Sequence, residues 1–198
     1  YKMKINNLNS KDNKTLLKLV RNNLKNSVLF YLSDNFIKFS FFREILKNKS
    51  FFSLIAKDKG EPLGIIIIKK KLGVFSNNLY VKILIDALMS TFTRDLSIFL
   101  KLLNVKFSTR KIVKKFKINN FDCAEIIYIA VENKHRNKGV GKKLISKASK
   151  ILRKKHKFLI TSSENSKQVI KFYKANNFIK IGHETRFKKK NILMLKNL

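Results

Sequence analysis

The stretch from Ala124 to Leu152 constrains the fold more than any other part of the chain. Ala124-Glu125-Ile126-Ile127-Tyr128-Ile129-Ala130-Val131 is apolar, β-branched or aromatic with one acid near its start, the pattern of a buried strand. Glu132 to His135 follow, then Arg136-Asn137-Lys138-Gly139-Val140-Gly141. From there Val140, Leu144, Ile145, Ala148, Ile151 and Leu152 recur at helical spacing. Strand, glycine turn and helix in that order make a main-chain anion site. The glycines let the backbone approach a diphosphate, and the N–H groups of the first helical turn, which have no intrahelical acceptor, point at it. Taken alone, this reads as a diphosphate site and leaves nucleotides of every kind open.

The rest of the chain surrounds that unit with alternating elements. Lys2 to Leu8 reads as a first strand, and Ser10 and Asp12 supply cap chemistry before the stripe Leu16, Leu17, Val20 and Leu24. A second helix is expected after Ser33-Asp34, burying Phe36, Ile37, Phe41, Ile45 and Leu46. Phe51 to Ala56 and Leu63 to Ile68 are strands joined by the hairpin turn Asp58-Lys59-Gly60-Glu61-Pro62, the second apolar on both faces and hence central. Beyond the opening unit come a strand at Phe158 to Thr161, a turn with N-cap candidates at Ser162 to Ser166, and a short helix from Gln168 to Asn176. Phe178 to Ile181 and Ile192 to Leu195 close the sheet as a hairpin around His183 to Lys190.

Residues 71–120 do not fit a minimal domain of this kind. Between Leu79 and Leu103 the polar residues Lys82, Asp86, Ser90, Thr93, Arg94, Ser97 and Lys101 fall three or four apart, a narrow polar stripe on a greasy helix or helix pair. A basic cluster, Arg110, Lys111, Lys114, Lys115 and Lys117, follows. Three readings stay open: a helical layer packed on the core or on a dimer partner, an interfacial membrane anchor, and a lid.

With 198 residues and 44% hydrophobic content the chain reads as one domain with a sizeable core. The single cysteine, Cys123, excludes an internal disulfide and a cysteine-rich zinc site, and His135, His156 and His183 have no ligand partner at metal spacing. His135 is expected to lie solvated in its loop. Neither a signal peptide nor a run of about eighteen uncharged apolar residues is present, so the expected location is the cytoplasm, with the inner face of the membrane open through the insert. The net charge of +33 has two sources to choose between. One is an anionic partner; the other is a compositional bias toward Lys, Asn, Ile and Phe with the lysines scattered throughout.

Arg136-Asn137-Lys138-Gly139-Val140-Gly141, preceded by Ile129-Ala130-Val131, resembles the (Arg/Gln)-x-x-Gly-x-(Gly/Ala) signature of the GNAT superfamily of acyl-CoA-dependent N-acyltransferases. Ile170-Lys171-Phe172-Tyr173-Lys174-Ala175-Asn176-Asn177-Phe178 is similar to that family's second landmark, Phe-Tyr-x-x-x-Gly-Phe. Both landmarks stand in the family's order on the expected elements. The resemblance implies an α/β (α+β) fold, a mixed central sheet of six to seven strands flanked by about four helices with the insert before the signature strand. It also implies acetyl-CoA as co-substrate and no metal. Its pyrophosphate would rest on the main chain of Arg136, Asn137, Lys138, Gly139, Val140, Gly141 and Lys142, and its pantetheine arm would pair along Ile129, Ala130 and Val131.

Ala124-Glu125-Ile126 further resembles the histone acetyltransferase branch, in which a glutamate at this place accepts the amine's proton; the alternative for Glu125 is a solvated strand-end residue. Tyr173 stands where many members keep a general acid near the sulfur; the alternative is an aromatic packed under the last helix. Two positions depart from the pattern. Many members keep an asparagine that touches the cofactor arm seven residues before the tyrosine; that spacing lands on Ser166, with Asn165 one residue early, so either Ser166 caps the helix and takes over the cofactor contact weakly or a one-residue shift brings Asn165 to it. The glycine of the second landmark is Asn177, which tolerates the same left-handed turn. The implied activity is acetyl transfer to a primary amine by direct attack. The expected acceptor is anionic, such as an amino sugar nucleotide, or an amine on an RNA-associated protein, because a surface of this charge repels polybasic tails. The contrasting expectation is a non-catalytic module that binds polyanions or an anionic membrane surface. A homodimer or a membrane contact through residues 79–117 is compatible with either, and no specific nucleic-acid motif stands out.

Overall fold

The computed structural model describes residues 2–23, 33–72, 81–82, 85–86, 119, 122–186 and 189–198. Within them seven strands form one sheet: β1 (Lys4–Asn7), β2 (Phe51–Asp58), β3 (Glu61–Lys69), β4 (Cys123–Val131), β5 (Phe158–Glu164), β6 (Ile179–Arg186) and β7 (Lys189–Asn197). Their order is β1-β2-β3-β4-β5-β7-β6, and every pairing is antiparallel except β4 with β5. Among the described residues four α-helices flank the sheet: α1 (Asn13–Asn23), α2 (Phe42–Lys47), α3 (Val140–Leu152) and α4 (Lys167–Lys174). The mixed sheet with helices on both faces is the expected α/β class.

The two faces follow from the apolar patterns. Most of the stability of α1 comes from packing its apolar face on the sheet. Leu16, Leu19 and Val20 are fully buried against Ile55, Ile65 and Ile67, each burial contributing roughly 1.5–3 kcal/mol. On the opposite face Leu144, Ile145 and Ala148 of α3 pack with Tyr173 and Phe178 against Leu54, Ile66 and Ile68. Successive isoleucines of β3 therefore serve both cores, as a central strand must.

Several local details differ from expectation. The cap before α1 is Asn9, whose side chain accepts from Lys11 N–H at 3.0 Å while the Asp12 carboxylate accepts from Asn9 N–H at 3.1 Å. This box closes a 3₁₀ turn at Ser10–Asp12, and Asp12, buried at 3%, also pairs with Lys57. The second helix begins as a π-helical turn, Phe36–Phe41, in which Phe42 N–H bonds to Ile37 O. Phe36, Ile37, Phe41 and Phe42 are all buried in one core, and Phe42 joins it unforeseen. The hairpin loop expected at His183 to Lys190 is shorter, because β6 runs to Arg186 and pairs His183 with Ile192 and Glu184 with Asn191. As the terminal strand of the sheet, β6 pairs through one neighbour only and leaves its outer main-chain groups unpaired with any described strand.

The polar stripe and basic cluster of the insert fall outside the described residues, apart from 81–82 and 85–86, where the backbone is helical. Asp86 accepts from both the N–H (2.9 Å) and the hydroxyl (2.6 Å) of Ser33, so this stripe residue helps close the entry to the π turn. Among the described residues no helix is long and apolar enough to cross a membrane.

Candidate active site

The site begins where two strands part. β4 pairs with β5 only over Cys123–Ile126, opposite Phe158–Thr161. From Ile127 to Val131, β4 keeps β3 on one side and has no strand on the other among the described residues. A bulge marks the parting: Ile67 faces Tyr128 and Ile68 faces Ile126, leaving Ile127 as the extra residue. The bulge turns Ile127 and Tyr128 to the α1 face, and Ile129 and Val131 to the α3 face. The open side of β4 is a main-chain edge that a linear, amide-bearing ligand can complete.

β4 leads into the turn through a bond from Glu132 N–H to Leu63 O (2.9 Å) and a 3₁₀ turn at Asn133–His135. That tight turn folds the imidazole inward, and His135 is buried rather than solvated. Asn137 and Gly139 then take left-handed conformations, φ 60° and 77°, and Gly139 stands at the N-terminus of α3 without a side-chain cap. The first helical bond runs from Lys143 N–H to Gly139 O (3.0 Å). The N–H groups of Val140, Gly141 and Lys142 carry no hydrogen bond among the described residues, and the first turn of α3 holds no acid. The positive end of the helix is thus left for an anion. Val131 fills the space between two glycines: a Cβ at Gly64 would lie 3.2 Å from its Cγ2, and one at Gly141 would lie 3.6 Å from it and 3.0 Å from the Phe172 ring.

Arg136 occupies the turn but aims elsewhere. Its Nη2 donates to Asn23 Oδ1 (2.7 Å) and its Nε to Val131 O (3.4 Å), bracing the turn against the end of α1. Only its main chain remains in the position the sequence assigned to an anion contact. Ser166 caps α4, its hydroxyl accepting from Val169 N–H at 3.3 Å, while Asn165 is exposed just ahead of it.

Glu125 and Tyr173 lie on opposite faces of the parting strands. Glu125 is 6% exposed, which removes the solvated alternative, and sits one residue before the last β4–β5 pair. Its register partner across β3 is Lys69, itself 7% exposed. Directly opposed side chains share a face, so two buried opposite charges stand side by side there. Tyr173 is buried between Phe172 and Phe178, edge to face at 5.1 Å from each. Its hydroxyl lies 3.4 Å from Thr161 Oγ1, which is 3.4 Å from Ser163 Oγ. Burial raises the phenol above its ordinary range, although the Ser163 and Thr161 hydroxyls oppose the rise, so Tyr173 stays protonated at neutral pH.

The acetyltransferase (GNAT) family model matches residues 18–178, a span that takes in the parting strands, the turn and Tyr173. The chain belongs to the GNAT family of acetyltransferases. Membership makes it an acyl-CoA-dependent N-acyltransferase by class. Solved GNAT-like structures agree in fold. The ribosomal-protein-S18-alanine N-acetyltransferase of Escherichia coli superposes with a TM-score of 0.60 at 13% identity, covering 98% of this chain and 93% of that one. PaiA N-acetyltransferase of Thermoplasma acidophilum, in complex with coenzyme A, gives 0.63 at 16% identity with both chains covered in full. A chimeric spermidine N-acetyltransferase from Vibrio cholerae and hSSAT gives 0.64 at 12% identity, covering 100% and 96%. No curated protein matches the sequence.

Sequence reasoning missed four residues that the structure places around the candidate site residues: Lys69, Thr161, Ser163 and Asn23. Lys69 had a signal, since it shares strand alternation with Ile65 and Ile67 and so belongs to a buried face. The other three depend on contacts between elements distant in sequence and had none.

Proposed function

We propose that this chain transfers an acetyl group from acetyl-CoA to a primary amine, with Glu125 as general base and Tyr173 as general acid. The observation that carries the reading is the parting of β4 and β5 beside an uncapped helix N-terminus. One feature suits an extended amide arm and the other its diphosphate, and they share one continuous backbone. The residues present therefore fit acetyl-CoA: Ile129 to Val131 along the arm, and the main chain of Arg136 to Lys142 at the diphosphate. When bound it supplies the activated acyl group. Glu125, just below the parting point, takes a proton from the acceptor's ammonium so that the free amine can attack the thioester carbonyl, and Lys69 stands opposite it on β3. Tyr173 gives its proton to the departing sulfur, and Thr161 and Ser163 supply hydroxyls through which the phenol is reprotonated.

For the acceptor, charge is the argument. Spermidine, named for one neighbour, is a polycation, and a +33 surface disfavours it. A ribosomal protein, named for another, presents an amine in an RNA setting. We therefore place an anionic amine, such as an amino sugar nucleotide, or an amine on an RNA-associated protein as the acceptor, in the cytoplasm. An amine panel assayed with acetyl-CoA tests this; preferred turnover of polylysine peptides would sink it. Tyr173→Phe keeps the ring packing and removes one hydroxyl. Its kcat is expected to fall about 10²-fold, with acetyl-CoA affinity by calorimetry and thermal stability unchanged. An unchanged kcat would remove Tyr173 from the mechanism. Acetyl-CoA binding without turnover of any amine would favour the non-catalytic module.

A further inference from the structure

Beyond the two residues assigned to proton transfer, we propose that Tyr128 and Ser162 bind the acceptor's ammonium group together with Glu125, and that they select a primary amine by its three N–H donors. Two buried hydroxyls carry this. Tyr128 is 4% exposed, and its phenol oxygen makes no hydrogen bond among the described residues. The Oγ of Ser162 is buried without one as well. Buried hydroxyls in folded proteins nearly always find a partner, so two such groups beside one opening call for a ligand that supplies it. Register places them on the two lips of the parted strands. The last β4–β5 pair is Ile126 with Thr161. Above it on β4 the bulge sets Ile127 aside, and Tyr128 takes the next row, opposite Ile67 of β3. Above it on β5 the next residue is Ser162.

Both residues also share the face of Glu125. Glu125 opposes Lys69, which alternates with Ile65 and Ile67, and Tyr128 packs in the cluster of those two isoleucines. Ser162 pairs with Leu193, which clusters with Ile160, and Ile160 is the β5 partner of Glu125. Tyr173 and Thr161 lie on the other face, where Thr161 pairs with Met194. One side of the opening is thus bordered by a carboxylate and two hydroxyls, and the other by the general acid. A protonated primary amine carries three N–H donors and no acceptor, and the three oxygens of Glu125, Tyr128 and Ser162 offer one acceptor for each. Lys69 stands opposite Glu125, but an ionised carboxylate has about four acceptor sites and can serve both cations. A secondary ammonium has one N–H fewer and would leave one of the hydroxyls unsatisfied. A site built on hydrogen bonds rejects an analogue that lacks the matching group.

Because acceptor binding here rests on acyl transfer at the parted strands, one arm of the test needs no turnover. It is a thermal shift of the full 198-residue chain saturated with coenzyme A, in methylammonium chloride or tetramethylammonium chloride over matched concentration series. Methylammonium is expected to lift Tm by about 1 °C more once it half-saturates the site, and Tyr128→Phe and Ser162→Ala to lose that difference. Without ligand each variant is expected to be at least as stable as the parent, since deleting an unsatisfied hydroxyl forfeits no hydrogen bond. The second arm is steady-state kinetics with the panel amine that the parent acetylates fastest and with its N-methyl derivative. Each variant is expected to raise KM for the primary amine at least about tenfold, to leave KM for acetyl-CoA unchanged and to narrow the preference over the N-methyl derivative. A fall in Tm for unliganded Tyr128→Phe would show a structural hydroxyl and overturn the proposal. So would equal shifts by the two cations, or an unchanged KM for the amine in both variants. Methylammonium discrimination by a parent that acetylates no amine would sink the acyl transfer reading and leave the ammonium site standing.

Discussion

Cys123 shows how position in the sheet sets the chemistry of a residue. The thiol is fully buried, and desolvation, with Glu125 and Asp122 adding to it, pushes it from its ordinary value near 9 to about 12. Desolvation likewise raises Tyr128 and Tyr173. For an acid whose folded pKa lies above its unfolded one, the native state binds the proton more tightly. The contribution of Cys123 is thus complete below about pH 9 and fades as pH climbs toward about 12. Native protein at pH 8 is expected to resist iodoacetamide and to label fully once unfolded. Cys123→Ala should flatten the loss of stability across that alkaline window, measured by denaturant titration at each pH; an unaltered pH profile would contradict the assignment. The sequence excluded a disulfide and a cysteine-rich zinc site for Cys123, but its low reactivity follows from burial, which depends on the sheet.

At the scale of elements, β4 depends on how closely β3 approaches it. A Cβ at Gly64 would sit 2.7 Å from Ala130 O and 3.2 Å from Val131 Cα, both main-chain atoms. Backbone cannot rotate away as a side chain can, so Gly64→Ala should shift the end of β4, destabilising the fold by roughly 1–3 kcal/mol. Because that end carries the open edge and leads into the turn, calorimetry should also show weaker acetyl-CoA binding. Unchanged affinity would mean the edge is not where the donor lies. Most elements were legible from periodicity: the isoleucine run of β3, the stripe of α3, and the Lys59-Gly60 turn, where φ values of 47° and 85° suit a two-residue hairpin. The π turn at Phe36–Phe41 was not, since its stability comes from burying four aromatic and aliphatic side chains together. The bulge at Ile127 was hidden for a related reason: one extra residue in a uniformly apolar strand leaves no trace in its pattern.

For the whole molecule, charge governs behaviour outside the core. With 45 Lys and Arg against 12 Asp and Glu, pairing every acid still leaves a large cationic excess. Self-repulsion of that excess disfavours the compact state and is screened by salt. Raising NaCl from about 20 to about 300 mM is expected to lift Tm by a few degrees, on the order of 1 kcal/mol for a chain of this size. A Tm that falls with salt would show that ion pairs such as Lys57–Asp12 outweigh the repulsion.

The sequence by itself determined the strand–turn–helix unit, the α/β class and the family resemblance, because these rest on local periodicity and on glycines whose conformational role is carried by the residue itself. It also supplied the candidates Glu125 and Tyr173 through that resemblance. Only the tertiary structure decided that β4 and β5 part after Ile126 and Thr161, that Arg136 braces α1, that Lys69 stands beside Glu125, and that His135 is buried. Each of these depends on register or contact between segments far apart in the chain. Hydrophobic pattern specifies which face of an element turns inward, and the packed fold selects which residue of another element it meets there.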